Sequence, residues 1–415
     1  MKHFNIKSKK ASQYLSLFSV NILGIPIGLV VSIFITRYLG AQQFGDYNFI
    51  NSVLRFSVVI ANIGIFHAAN RALVLCNNPK QNREYYGVTF IIIVILSIIM
   101  GLGLLLYTIN DNNIQAKNLS NIFLYVIPFG GVYLLNTAYE TLLHADNRIY
   151  LLSVLRIAPK ILCLLSILIV YFFCKELTIN KLLVTIYIYI WSELITYIYI
   201  AYKIKPIFSN FKKNISKLFS FYKSYGFDIY TGSIVAVGFA SLTEILISYF
   251  SNDNSGVGYF TLAITFASPL GMIPATIATT NYKDFSIQKK IPSKIIITTT
   301  ILSFMAMFVL WLIVPPVIRL FYGESMYPVI KINYFVSFGV ILYGFADFFN
   351  RYLAAKGKGK LLRNSSIIIG IATLAINLLF IPTFGTMGAV YTKITTGFIY
   401  LSIMLFCYKK TINKN

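Results

Sequence analysis

Apolar positions along this chain gather into long unbroken runs. Twelve stand out, with limits near 13–37, 48–73, 86–109, 120–143, 150–173, 181–202, 225–250, 259–280, 295–318, 329–352, 364–381 and 388–408. Most reach the roughly 20 residues that carry a helix across the ~30 Å hydrocarbon core of a bilayer. No water is present there to bond an exposed peptide group, so a spanning element must be a helix or part of a closed barrel. Runs this continuous favour helices over the weak alternation of barrel strands. The pattern predicts an all-α polytopic membrane protein with about twelve transmembrane helices. The connecting segments are short, and none has room for a separate soluble domain. The first run follows Lys2, Lys7, Lys9 and Lys10 and extends from about Leu15 to Ile35. That is longer than the apolar core of a cleaved leader, so it is expected to stay as the first span. Prolines at 26, 128, 159, 269, 274, 315 and 316 fall inside runs. The close pair Pro269 and Pro274 marks span 8 as the expected place of bending.

Composition agrees with the pattern. Of 415 residues, 57% are hydrophobic and 12% charged, and the mean hydropathy is +0.72. Soluble domains carry about 25% charged residues. The net charge of +23 suggests nucleic acid until its placement is considered. With a cytoplasmic N-terminus and twelve crossings, 25 of the 36 Lys and Arg fall on the inner side and five on the outer. This is the positive-inside bias, with both termini cytoplasmic. The excess charge then anchors the chain at anionic headgroups, and no nucleic-acid partner is expected. The longest basic loop, Lys203 to Lys223, divides the chain into an N-terminal six-helix lobe (1–202), a basic linker (203–224) and a C-terminal six-helix lobe (225–415). Two such halves suggest parallel repeats. Gly24, Gly28 and Ser32 in span 1 and Gly232, Ala236 and Ala240 in span 7 share a four-residue spacing that permits close helix approach. Cys76, Cys163, Cys174 and Cys407 are scattered and read as small apolar fillers.

The passage from span 1 to span 2 carries a recognisable motif: Asn21, then Arg37-Tyr38-Leu39-Gly40, a short gap, and Phe44-Gly45-Asp46-Tyr47. A later turn reads Pro382-Thr383-Phe384-Gly385-Thr386-Met387-Gly388-Ala389. Together with length and span number, these segments resemble the polysaccharide transporter family of the multidrug/oligosaccharidyl-lipid/polysaccharide exporter superfamily. Its O-antigen (Wzx-type) members have this length and twelve helices. Murein-precursor and sporulation relatives usually have fourteen, and the chain departs from them there. The resemblance implies a MATE-like fold. It also implies a flippase that moves undecaprenyl-pyrophosphate-linked oligosaccharide from the cytoplasmic to the periplasmic leaflet of a bacterial inner membrane. The partners so implied are the polyprenyl-pyrophosphate-linked glycan, membrane lipids and other polysaccharide-assembly proteins. Physics accounts for part of the motif independently. Gly40 and Gly45 suit a tight turn, and Arg37 and Tyr38 sit where interfacial anchors belong.

Ionisable groups inside apolar spans are costly, so each is a functional candidate or else a structural pair or snorkelling side chain. In span 2, Asn48, Asn51, Arg55 and Asn62 fall within about 60° of arc at 100° per residue, one polar stripe suited to a wet cavity. The guanidinium fork of Arg55 matches a phosphate or an acidic sugar. Arg156 and Lys160 share one face of span 5. They either capture a pyrophosphate or are neutralised by Glu140 or Glu193. Lys393, deep in span 12, is a further cavity candidate, and Lys331 can snorkel. Buried carboxylates can carry a coupling proton or bind sodium. Glu193, Glu244, Glu140 (beside His144) and Asp347 are the ion-coupling candidates, with Asp347 expected to pair with Arg351 four residues on.

No nucleotide-binding loop, metal motif or nucleophile elbow occurs, so neither an enzyme nor a cofactor is expected. Two other functions stay open. One is a cation or drug antiporter of the same superfamily, whose cavity should be acidic and aromatic. The other is a polytopic glycan polymerase, which should carry a larger outer loop. The topology is directly testable. Single cysteines within 203–223 should react with a membrane-impermeant maleimide only after the membrane is opened, and labelling of intact cells there would invert the orientation.

Overall fold

The computed structural model describes residues 2–76, 78–173, 180–234 and 238–413, without the side chains of residues 2–19, 21, 22, 228, 232, 233, 239 and 240. Cys174, Lys175, Ala236 and Lys414 lie outside the described residues, as do the side chains of Lys2, Lys7, Lys9, Lys10, Asn21 and Ala240. The described chain is helical throughout, with no strand. Nine of its helices are long and apolar enough to cross a bilayer, ten when the bent pair Ser120–Phe129 and Gly131–Ala145 counts as one span.

The difference from twelve arises at spans 1, 2 and 7. The first helix, α1 (Lys2–Asn62), carries span 1 and the first part of span 2 as two helical stretches that meet at a kink at Gly40. Its one non-helical residue is Gly40, at φ 76° and ψ 177°. A side chain there would be strained, although a Cβ would meet nothing within 4 Å, so glycine serves conformation rather than space. The rest of span 2 is the short α2 (Ile65–Val74), set off by Ile63 and Gly64, both at positive φ. Span 7 is shared between α10 (Phe227–Ser233) and α11 (Phe239–Tyr249).

The remaining helices follow the apolar runs. They are α3 (Pro79–Asn110), the short α4 (Asn112–Ala116), α5 (Ser120–Val126), α6 (Gly131–Ala145), α7 (Ile149–Phe173), α8 (Lys181–Ile204) and α9 (Phe211–Phe221). Beyond α11 come α12 (Ser255–Thr280), α13 (Tyr282–Ile287), α14 (Ser293–Val317), α15 (Pro328–Ala355), α16 (Gly359–Phe384) and α17 (Thr386–Asn413). Local chemistry sets several starts. Asn78 accepts from Lys80 N ahead of Pro79, and Asn180 accepts from Leu182 N ahead of α8. The expected turn at Pro382–Ala389 shrinks to Gly385 at φ 57°. The bend of 41° falls at Pro128–Gly130, between α5 and α6. The proline pair of span 8 lies within one continuous helix, α12.

The chain forms two compact units. One comprises Met1–Leu39 and Val53–Thr231, the other Gly40–Ser52 and Gly232–Asn415. In the first, the basic segment after α8 is tied down rather than loose. The buried Glu84 carboxylate accepts from Ser209 Oγ (3.0 Å), Asn210 Nδ2 (3.1 Å) and Asn214 Nδ2 (2.8 Å). Arg83 Nε bonds the Lys205 carbonyl at 2.6 Å, and Ile207 N bonds the Arg83 carbonyl at 2.9 Å. In the second unit α15 is central. Of its apolar window 61% is buried inside the protein, against 22% for α14 and α16. Edge-on contacts among Phe285, Phe348, Tyr352 and Tyr408 seal one end of this unit.

The α1 segment Gly40–Ser52 packs into this second unit at the loop before α12. Asn254, fully buried, donates to Asp46 Oδ1 at 2.7 Å and accepts from Ser248 Oγ at 2.6 Å. A Cβ on Gly45 would overlap the Asn254 carbonyl. Gly45→Ala should therefore cost about 1–3 kcal/mol of stability, the usual penalty for overpacking. Gly28→Ala should cost nothing, because a Cβ there meets nothing within 4 Å and alanine is the better helix former. Thermal unfolding of the two purified variants checks the contrast.

Candidate functional site: membrane-embedded charges

In the first unit α8 supplies Glu193, buried among aromatic side chains. Its carboxylate accepts from the Tyr197 hydroxyl one turn on and from Asn136 Nδ2 of α6 at 3.4 Å. Asn136 also donates to Tyr197 at 2.7 Å, closing a ring of three groups. Tyr189 bonds the same carboxylate. Arg55 of α1 and Lys160 of α7 both lie within electrostatic reach of Glu193. Arg55 is exposed, as is Lys160, whose Nζ donates to the Gly24 carbonyl at 2.9 Å.

The structure divides the polar stripe of span 2. Asn48 and Asn51 turn back on their own helix, donating to the carbonyls of Phe44 (2.7 Å) and Tyr47 (2.8 Å). Asn51 is 4% exposed, so it faces no wet space. Asn62 is half-buried at the end of α1. Arg55 is the exposed member of the stripe.

Of the two readings for span 5, the structure takes neutralisation for one residue. Arg156 pairs with Glu140 of α6, its Nε at 3.0 Å from Oε1. Both side chains are about one-third exposed, so the pair itself adds little stability. Lys160 instead bonds backbone.

The second unit holds a cavity of about 340 Å³. Glu244 of α11, Asp347 of α15 and Lys393 of α17 all line it, together with Tyr343, Tyr400 and several threonines. Lys393 Nζ stands 3.8 Å above the centre of the Tyr343 ring, a close cation–π contact. Tyr343 donates to Thr396 Oγ1 at 2.9 Å. Glu244 accepts from Ser52 Oγ at 3.1 Å, so the α1 segment reaches this site too. Asp347 and Glu244 lie within electrostatic reach of Lys393. The arrangement suits a cation or a mobile proton more than a phosphate, because two carboxylates already balance the ammonium.

Asp347 does not pair with Arg351. It accepts from the Tyr400 hydroxyl at 2.9 Å, and Asn350 Nδ2 donates to the same hydroxyl at 3.0 Å. The physical reason is geometric. Asp347 opens into the cavity while Arg351 projects outward near the helix end, so the facing helix supplies the partner. Lys331 is exposed, as a snorkelling residue should be.

Sequence patterns do not single out Asp46, Glu84, Tyr197 and Tyr400 as partners. Asp46 stands in the Phe44–Tyr47 motif, where it reads as part of a turn. Glu84 precedes its apolar run and carries no periodic signal. The tyrosines are lost among the 30 of the chain.

Helices with ionisable groups sunk between apolar faces define a multi-pass membrane protein. The sequence profile of the polysaccharide biosynthesis protein family matches residues 11–282, and the chain belongs to that family. Among solved structures, the lipid II flippase MurJ in an inward closed conformation aligns with a TM-score of 0.74 at 14% identity, over 97% of this chain and 89% of that one. An inward-facing multidrug resistance MATE family transporter of the MOP superfamily aligns at 0.67 and 13% identity, over 93% and 94%. An outward-facing structure of such a transporter aligns at 0.52 and 14%, over 96% and 93%. At these identities the likeness is one of fold. No curated protein matches by sequence.

Tyr400→Phe removes the donor to Asp347 and should cost about 1 kcal/mol. Arg351→Ala, at an exposed position, should change stability by less than about 0.5 kcal/mol. Unfolding midpoints of the two variants decide between the hydroxyl and the guanidinium as partner of Asp347.

Proposed function

We propose that the protein flips a polyprenyl-pyrophosphate-linked saccharide, an O-antigen or capsule repeat unit, from the cytoplasmic to the periplasmic leaflet of a bacterial inner membrane. Membership of a polysaccharide biosynthesis family supports a saccharide-bearing substrate. The observation that carries the mechanism is Arg55: an arginine exposed inside an apolar span, in the field of a buried carboxylate. Lipid is a prohibitive neighbour for such a group, whereas a pyrophosphate or uronate presents the paired oxygens its fork matches. Lys160, exposed on α7, adds a second cation. Glu193 holds these cations in place when no anion is bound.

Transport is coupled, in this reading, through the carboxylates of the second cavity. Glu244 and Asp347 share one ammonium, so a proton or sodium ion entering there changes the charge balance about Lys393. Glu140 is already paired with the Arg156 guanidinium, which makes it a weaker coupling candidate. The same acidic, aromatic cavity favours a second reading, export of a small organic cation.

A deletion strain should accumulate lipid-linked saccharide on the inner leaflet and lose its surface glycan. Arg55→Glu and Lys160→Glu, expressed at wild-type level, should fail to restore display, with a loss of at least about tenfold if one charge-assisted bond of about 1.5–3 kcal/mol is replaced by repulsion. Normal glycan in the deletion strain, together with new sensitivity to cationic dyes, would reject the flippase in favour of the cation exporter.

A further inference from the structure

The first unit carries an apolar groove on its flank, apart from the embedded charges. It measures about 480 Å³ and runs between α3 and the bent pair α5–α6, backed by Leu194 of α8. Its lining is hydrocarbon except for Ser97, whose hydroxyl is spent on the Ile93 carbonyl of its own helix at 2.7 Å. The side chains of such a groove offer a ligand no hydrogen bond. It selects by shape and apolarity alone.

The groove has identifiable causes. The 41° bend at Pro128–Gly130 places Ile127, Pro128 and Phe129 along one side of the groove and Gly131, Val132 and Leu135 of α6 beyond them. Glycine at 101 leaves the floor low. A Cβ there would meet only Ile127 Cγ2, at 3.7 Å. Exposed Val94, Ile98 and Leu102 form the outer wall.

Length decides what can fill it. The α3 lining runs from Phe90 to Leu105, which at 1.5 Å per residue is about 22 Å. One leaflet supplies about half of the ~30 Å hydrocarbon core, so a groove of this length lying within the core extends past the midplane. The acyl chain of a phospholipid stays in its own leaflet and would leave much of the groove unfilled. A polyisoprenoid chain is long enough to cross, and its methyl branches need the room that glycine leaves.

We infer that this groove seats the polyprenyl chain of the carrier lipid. The inference rests on the flippase reading and deepens it. A tail lying across the midplane serves a headgroup on either side of the membrane. The sugar and phosphate can then cross while the tail keeps one apolar seat, and its burial opposes neither direction.

The test uses the full-length protein in nanodiscs of phosphatidylethanolamine and phosphatidylglycerol, with sugar-free undecaprenyl phosphate as the probe. Retained lipid is counted by native mass spectrometry. Wild type and Gly101→Ala should retain the probe. Gly101→Trp should lose it by about tenfold or more, as expected when several methylenes leave an apolar contact. Leu102→Trp, at an exposed position with no packing role to lose, should behave the same way and guards against misfolding of the glycine variant. Equal retention in both tryptophan variants overturns the inference. Equal displacement of phosphatidylglycerol also overturns it, because the occupant is then an ordinary acyl chain. A change from dimer to monomer in the tryptophan variants, with probe retention intact, overturns it in favour of a second copy of the chain. If wild type ignores the probe while its deletion strain still traps saccharide inside, the groove fails and the flippase stands. If the probe binds in the groove but the deletion strain displays normal glycan, the groove stands and the flippase fails.

Discussion

Hydrocarbon offers no hydrogen-bond partner, and that single constraint organises this molecule. Every polar group within a span has to be satisfied by the protein. The cheapest solution is local. Ser57, Thr89, Thr108, Thr299 and Thr392 each return their hydroxyl to a carbonyl four residues back. Asn48 and Asn51 do the same with their amides. These residues sit in membrane helices at little cost and form no ties between helices through those bonds. Carboxylates cannot take this route, because a helix interior has no spare donor. They must find partners on other elements or later turns, so a chain with only 13 acidic residues places much of its tertiary hydrogen bonding on a few of them.

Glu140, Glu193 and Asp347 show the consequence inside the spans, and Asp46 and Glu84 act in the same way at span ends. Each is a node at which separate segments meet. Glu84 gathers three donors from the segment between α8 and the middle of α9. Asp46 holds Asn254, which in turn holds Ser248. Glu193 and Asp347 share a further feature: each accepts from a tyrosine that an asparagine amide also supports. Each of those tyrosines also packs tilted against a second tyrosine ring, Tyr139 with Tyr197 at 5.7 Å and Tyr343 with Tyr400 at 5.6 Å. Phenol suits this role because it buries a large apolar body and donates one hydrogen bond without adding charge. The two units thus solve the same problem with the same three residue types. The second unit differs in placing an ammonium over one of these paired rings, Tyr343.

Most of the apolar helices are legible in the sequence because each is an average. Twenty apolar residues outweigh any single misreading. What is not legible depends on individual neighbours. Gly40 and Gly45 look alike as turn residues, yet the first is needed for its dihedral angles and the second for its lack of a Cβ. Sequence alone does not separate those uses. Arg351 looks like the partner of Asp347 by the four-residue rule, which describes an isolated helix in water. In a bundle the facing helix brings Tyr400 closer. Glu140 is foreseeable as a partner of Arg156, since two adjacent cations demand an anion. Nothing local marks Glu84, whose donors lie more than 120 residues away.

The break in α1 shows why halves of a sequence and units of packing need not coincide. Residues Gly40–Ser52 belong with the C-terminal helices, while the helix on either side belongs with the N-terminal ones. Ser52 is the last residue of that inserted piece and donates to Glu244. Arg55, less than one turn further on, lies in the field of Glu193. The boundary between the two packing units thus falls within one turn of a single helix. A helix turn is stiff, since rotating it by one residue moves every side chain about 100°. The same short segment that carries the family motif at Phe44–Tyr47 leads into this turn, which gives the motif a physical role, since Gly45 and Asp46 fix where the turn is anchored.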